Sequence, residues 1–323
     1  MLAGGPSGHG LEHPRGEPGA YGGGVDVLLT GSSGFIGTAL TTALEASGHR
    51  VVGLRRGSGA SGSRTWDPEA GAIDATALDG ITGVVHLAGE GIGEKKWSPD
   101  QKRRILESRT KGTDLLARTL AGRDEKPAVL VSASAIGYYG NRGDEELTET
   151  SASGDDFLAD VCRQWEAAAT PAADAGIRVV IIRTGIVLSP KGGVLRQLLL
   201  PFKLGVGGRT GSGRQYMSWI TLVDEIRAIL FALEHDQARG PFNLTAPNPA
   251  TNRELTSTLA KVLHRPSVLP TPLLPLKMRY GSELVENLLV NGQRVLPAAL
   301  SSAGFEFVYP DLEPALRGIL RGE

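Results

Sequence analysis

One cysteine, Cys162, occurs in 323 residues, so no disulfide can close within the chain and a reducing compartment is expected. Charge of one sign is missing too. Thirty-four Lys and Arg stand against 35 Asp and Glu, a formal net charge of −1. No global field therefore draws the chain to nucleic acid or acidic lipid. No apolar run approaches the roughly 18 residues of a membrane span, no internal repeat occurs, and no metal site is expected. What remains is the composition of a soluble globular protein, 41% hydrophobic and 21% charged. The expectation is a cytoplasmic protein with a small-molecule substrate, no nucleic-acid partner and no membrane partner; a homo-oligomer is compatible with it.

Residues 1–24 differ from the rest. They hold nine glycines and three prolines, with Leu2, Leu11 and Tyr21 as large apolar side chains. That is too little surface to offset chain entropy, and no apolar core of a signal peptide is present. A disordered Gly-rich leader is expected, and an over-extended reading frame would account for it.

From Val25 onward strand and helix patterns alternate. Val25–Thr30 is an apolar run ending in glycine, the pattern of a buried parallel strand. Phe35, Ile36, Ala39, Leu40, Ala43 and Leu44 recur at helical spacing, and Gly48 stops the helix. Strands are predicted at 49–54, 83–88, 128–132 and 178–183, and helices at 99–120 and 156–174. This spacing implies an α/β fold, a Rossmann-type doubly wound parallel sheet over 25–248. Pro266, Pro270, Pro272 and Pro275 then lead into a smaller lobe within 249–323.

The segment from Thr30 to Gly37, TGSSGFIG, joins the first strand to the first helix. Gly31 permits the tight turn, Gly34 lets a pyrophosphate approach the backbone, and Gly37 allows close helix packing. The helix N-terminus at Phe35 and Ile36, with Ser33 before it, then offers free N–H groups to the phosphates. At the end of the second strand, where NAD sites usually carry an acid for the ribose hydroxyls, stand Arg55 and Arg56. Two readings are open: a solvated surface pair, or guanidiniums that bind a 2′-phosphate. NADP(H) is the expected cofactor, with NAD(H) as the alternative.

These pieces, with HLAG at 86–89, SASAIGYYG at 132–140, WITLVDEIRAIL at 219–230 and FNL at 242–244, resemble the extended short-chain dehydrogenase/reductase superfamily of nucleotide-sugar epimerases and dehydratases. GEGIGEKKW at 89–97, SRTKGT at 108–113, the paired tyrosines at 138–139 and FLADVCRQWE at 157–166 narrow the resemblance. They are similar to the epimerase-like subfamily that includes the human short-chain dehydrogenase family 39U member. The tail from Gly281 resembles that subfamily's small C-terminal domain. The resemblance implies a dinucleotide site that also takes in Leu87, Ala88 and Gly89.

It also implies a tyrosine and a lysine four positions apart, aided by a serine and an asparagine, to move a proton while hydride moves at the nicotinamide. None of the six tyrosines has lysine four residues on. Aligned on Trp165-Glu166, Leu158 takes the tyrosine position and Cys162 the lysine position, Ser134 fills the serine position, and Arg109 the asparagine position. Positioned acid–base catalysis contributes roughly 10²–10⁴ in rate, so the ordinary epimerase route is not expected.

Substitutes are present in Tyr138 and Tyr139 beyond the Ser134 strand end, and in Arg109, which suits polarising a carbonyl. Ordinary ring packing is an equal reading for Tyr138. Lys95 and Lys96 are either substrate ligands or solvated, and Cys162 reads as an inert buried thiol. The superfamily's diphosphate arginine is replaced by Met217, with Arg214 and Arg209 as nearby stand-ins. The resulting expectation is an NADP(H)-binding oxidoreductase acting on a small anionic substrate through Ser134, Tyr138 and Arg109. The alternative is a catalytically silent dinucleotide-binding sensor or interaction module.

Overall fold

The computed structural model describes residues 24–57, 64–267 and 270–322. The expected leader lies, apart from Gly24, outside the described residues.

Strand β1 (Asp26–Thr30) runs into helix α1 (Phe35–Ala46), which returns to β2 (Arg50–Arg56). A short hairpin follows, β3 (Thr65–Asp67) and β4 (Ala72–Ile73), then β5 (Gly83–His86), the long helix α2 (Pro99–Ala121) and β6 (Val129–Ala135). Beyond β7 (Glu146–Leu147) come α3 (Phe157–Ala167), α4 (Thr170–Asp174), β8 (Arg178–Thr184) and β9 (Ile186–Leu188). The chain continues through α5 (Gly193–Lys203), β10 (Tyr216–Met217), β11 (Trp219–Thr221), α6 (Leu222–Glu234) and β12 (Gly240–Leu244).

The main sheet has the order β12-β8-β6-β5-β1-β2-β3-β4, and every pairing in it is parallel except β3 with β4. The winding reverses between β1 and β5, where Thr30 pairs with His86, and an open α/β sheet binds ligands at such a switch point. Alternation along each strand divides the core. Val27 and Leu29 join Leu40, Leu44 and Ile229 on one face, while Leu28 and Val84 meet Leu116 and Leu120 of α2 on the other.

Two sequence expectations change. The predicted helix over 156–174 is two helices, because Pro171 has no N–H to continue the α3 ladder and opens α4 instead. The edge hairpin at 65–73, too short for a periodic signal, extends the sheet beyond β2.

The C-terminal segment adds β13 (Ala250–Thr251), α7 (Asn252–Leu263), α8 (Leu273–Tyr280), α9 (Ser282–Val285), β14 (Arg294–Val295), α10 (Ala298–Ser302) and α11 (Leu312–Arg321). Its apolar cluster is shared. Leu255 and Leu259 of α7 and Leu316 of α11 pack with Leu195 and Phe202 of α5 and with Trp219. Apolar burial at roughly 25 cal/mol per Å² is what welds this segment to the sheet domain.

Candidate functional site

A cleft of about 570 Å³ opens at the switch point, lined by Gly31, Ser33, Gly34, Arg55, Arg56, Leu87, Ala88 and Gly89, whereas Phe35, Ile36 and Gly37 of the predicted set do not line it. Gly31 has φ +75°, and a Cβ there would stand 2.9 Å from the Leu87 carbonyl carbon, so only glycine fits. Gly37 is excluded from substitution more strongly, since its Cβ would fall 2.1 Å from the Gly31 oxygen. It therefore packs against the loop itself. Phe35 and Ile36 turn their side chains to the core, and Phe35 also covers Gly192. Their contribution to the site is the backbone. Gly34 is the α1 N-cap and no side chain caps the helix, so the first-turn N–H groups and the positive dipole end stay available to an anion.

Arg55 and Arg56 are exposed at the end of β2, and neither makes an ion pair with a described residue. Asp67 and Glu69 lie beside Arg56 in an adjoining recess, but Asp67 accepts from its own turn and Glu69 pairs with Lys111. Trp66, Ser32 and Leu54 also line the cleft, and sequence reasoning missed them. Trp66 belongs to the short hairpin, whose pattern gave no signal.

Behind the loop, Thr30 Oγ1 lies 2.7 Å from His86 Nδ1, and His86 Nε2 lies 3.0 Å from Thr113 Oγ1. Thr30 Oγ1 also accepts the Ala88 N–H at 3.3 Å. Burial pushes the His86 imidazole down to about 4, so a neutral ring ties the cleft-lining loop after β5 to β1 and α2.

At the carboxyl edge of β6 two of the predicted catalytic residues, Ser134 and Tyr138, are near one another in sequence and differently engaged. Ser134 Oγ donates to Glu166 Oε1 at 2.6 Å, and Arg183 grips both oxygens of Glu166, at 2.9 Å from Nε and 2.8 Å from Nη2. Arg183 also donates to the Tyr139 hydroxyl at 3.0 Å, and that hydroxyl donates to Asn243 Oδ1 at 2.7 Å. Tyr139 is fully buried, and desolvation holds its phenol up at about 12 despite the adjacent guanidinium. Tyr138 is half-buried, its ring centroid 3.5 Å from the Arg183 guanidinium carbon, and its hydroxyl bonds no described residue.

Arg109 stands apart from this network. It donates to the carbonyls of Glu90 at 2.9 Å and Ile105 at 3.1 Å, and stacks 4.9 Å from the Trp165 ring. No hydrogen bond joins it to Ser134 or Tyr138. Leu158 and Cys162 pack against Gly137, where an added Cβ would stand 3.3 Å from Leu158 Cβ. Burial pushes the Cys162 thiol up to about 11, an inert group. Lys95 reaches Glu90 at 3.6 Å, and Lys96 lies along Gly281. Met217 is buried in the C-terminal cluster, whereas Arg214 lines a separate cavity of about 570 Å³ with Arg253. Glu166, Arg183 and Asn243 were missed as site residues: their partners lie 17 to 104 positions away in sequence.

Comparison with known proteins agrees with this fold. Residues 27–245 match the NAD dependent epimerase/dehydratase family, and residues 271–319 match a domain of unknown function, DUF1731. The chain is 44% identical over 291 residues to epimerase family protein Mb2239 of Mycobacterium bovis, spanning 90% of this chain and 96% of that one. The crystal structure of human epimerase family protein SDR39U1 (isoform 2) with NADPH superposes with a TM-score of 0.84 at 36% identity, over 91% of this chain and 99% of that one. A nucleoside-diphosphate sugar epimerase from Corynebacterium glutamicum reaches a TM-score of 0.77 at 40% identity, over 93% of this chain and 59% of that one.

Proposed function

This chain belongs to the NAD dependent epimerase/dehydratase family, and from that we propose that it is an NADP(H)-dependent oxidoreductase with Tyr138 as proton donor. The cofactor assignment rests on Arg55 and Arg56 lining the cleft with no carboxylate partner among the described residues, where charge-assisted bonds to a 2′-phosphate are strong. A relative crystallised with NADPH supports it. Gly31, Ser33, Gly34, Phe35, Ile36 and Gly37 hold the diphosphate, and Leu87, Ala88 and Gly89 form the opposite wall.

Bound NADPH supplies the hydride. Tyr138 gives its proton to the substrate oxygen, and the observation that carries this role is its contrast with Tyr139. One hydroxyl is locked between Arg183 and Asn243, and the other, in the turn that follows β6, bonds no described residue. Ser134 and Glu166 position Arg183 beneath Tyr138, so they act through it and not on substrate. Arg109, half-buried beside Gly89 and Trp165, supplies positive charge for a small anionic substrate.

Mixing the protein with NADPH and a pool of carbonyl metabolites, and following loss of nicotinamide absorbance, tests the proposal. Consumption that Tyr138→Phe suppresses supports it. A specific observation favours the silent-binder reading: Gly137 packs on Leu158 and Cys162 and closes the place of the family's tyrosine and lysine. NADPH binding with no turnover on any pool would establish that reading instead.

A further inference from the structure

Net charge near zero conceals a sharp local asymmetry. From residue 175 to 223 the sequence contains no Asp or Glu but seven Lys and Arg, and from 255 to 282 again no acid but four Lys and Arg. Both stretches meet at one place. The Thr271 N–H donates to the Arg209 carbonyl at 2.8 Å, Thr271 Oγ1 donates to the Gly208 carbonyl at 2.9 Å, and Arg265 Nε donates to the Lys203 carbonyl at 2.9 Å. The end of α5, the loop after it and the start of α8 are thereby stitched together.

Five of the seven large apolar side chains exposed among the described residues fall on these segments. They are Leu200 (66% exposed), Leu204 (68%), Val206 (63%), Leu274 (69%) and Met278 (70%). Helical spacing puts Arg196, Leu200 and Leu204 on one exposed face with Lys203 beside them, and Leu274 and Met278 on another with Lys277 beside them. No residue of α8 is buried. Arg196, Lys203, Arg265 and Arg279 make no ion pair with a described residue, while Lys277 is paired with Glu286. Isolated exposed leucines are ordinary, but a cluster of this kind marks an interaction surface.

We propose that the α5–α8 surface docks on an anionic lipid bilayer, with Leu200, Leu204, Val206, Leu274 and Met278 entering the headgroup boundary and the flanking basic side chains facing lipid phosphates. Apolar side chains interleaved with Lys and Arg, on segments that themselves carry no Asp or Glu, are the composition that lies in a membrane interface. Charge complementarity decides against a second copy. An isologous contact would set Arg196, Lys203 and Arg279 against their own counterparts with no acid on these elements to meet them. The expectation of no membrane partner came from charge averaged over the chain, which does not register a one-sided surface. No described helix is long and apolar enough to cross a membrane, so the contact is peripheral.

Sedimentation of the full chain with vesicles tests this, comparing pure phosphatidylcholine with phosphatidylcholine containing phosphatidylglycerol. The expected result is selective binding to the phosphatidylglycerol vesicles that weakens as salt rises. The double variant Leu204→Glu, Met278→Glu should lower the partition coefficient at least about tenfold. Its NADPH affinity and melting temperature should match the parent, since both positions are exposed. Val308→Glu, an exposed apolar position elsewhere, should leave partition within about twofold, a few tenths of a kcal/mol. Equal binding to both vesicle types, binding to neither, or full retention by the double variant would overturn the proposal. So would a dimer in solution that the double variant dissociates, which would assign the surface to a second copy.

Discussion

Ser134 donates to Glu166 across 2.6 Å, and that bond ties the serine hydroxyl at the end of β6 to a carboxylate on α3. Glu166 is held at the same time by a two-pronged Arg183, and Arg183 in turn carries Tyr138 and Tyr139. A serine that would orient a proton donor is built here into the footing of a buried arginine.

That footing should be costly to break. The Arg183 side chain is 4% exposed and Glu166 15%, so Glu166→Ala leaves an uncompensated buried guanidinium. Removing one partner of a buried pair costs about 3–5 kcal/mol, and the residual exposure of Glu166 places this case at the lower end. Glu166→Gln keeps hydrogen bonds to Ser134 and Arg183 and should lose less. Scanning calorimetry on the two variants checks the order, and a loss below about 1 kcal/mol for Glu166→Ala would contradict the arrangement.

Cofactor preference should reverse at the end of β2. Each charge-assisted bond to the 2′-phosphate is worth roughly 1.5–3 kcal/mol, so Arg55→Asp or Arg56→Asp should weaken NADPH binding tenfold or more. NADH affinity should hold or rise, because an acid there suits ribose hydroxyls. Titration calorimetry with both nucleotides decides this. Unchanged NADPH affinity in both variants would mean that the arginines are only solvated.

The phosphate loop and strands β1, β2, β5, β6 and β8 were legible because their signals are local: apolar runs, glycine at fixed offsets and a breaker after each helix. Arg55 and Arg56 were legible for the same reason, lying a fixed distance along the second strand. Trp66 was not, since a three-residue strand has no period to detect. Nor was the Glu166–Arg183–Tyr139–Asn243 chain, because burial creates it by joining α3, β8, the turn after β6 and β12, and nothing near Arg183 in sequence names its partners. Arg109 illustrates the opposite limit. Its position was read from its neighbours, but its direction, into the Glu90 carbonyl and the Trp165 face, is set by packing.

Stability should respond to pH through two buried groups of opposite sign. Burial pushes the Glu225 carboxyl up to about 8; one oxygen accepts from Thr184 at 2.8 Å and the other has no partner among the described residues. Its folded pKa lies above the unfolded one, so stability is fullest below about 4.5 and falls as pH rises toward 8. His86 is depressed to about 4, so its contribution is fullest above 6.5 and is lost as pH falls. Between pH 6.5 and 8 only Glu225 of this pair is changing. Glu225→Gln should therefore gain on the parent by about 1 kcal/mol per pH unit there. Denaturant midpoints at three pH values measure it, and parallel curves would show that Glu225 ionises normally.

The two adjacent tyrosines should separate activity from stability. Tyr139 is fully buried, and its hydroxyl both accepts from Arg183 and donates to Asn243, so Tyr139→Phe strands two buried polar partners. An unmet buried partner costs about 1–3 kcal/mol, and the melting temperature should fall accordingly. Tyr138 loses nothing of that kind as Phe, because its hydroxyl bonds no described residue and its ring still stacks on Arg183. Tyr138→Phe should melt like the parent and turn over at least about tenfold more slowly, roughly 1.4 kcal/mol of transition-state stabilisation. Arg109→Met should also slow turnover about tenfold, whereas Cys162→Ala should stay within about twofold, since a thiol held near 11 stays protonated. Melting curves with turnover on one reducible substrate give all four results. If Cys162→Ala abolished turnover while Tyr138→Phe kept it, the proton would have to come from the thiol, and the phenol at 138 would be packing alone.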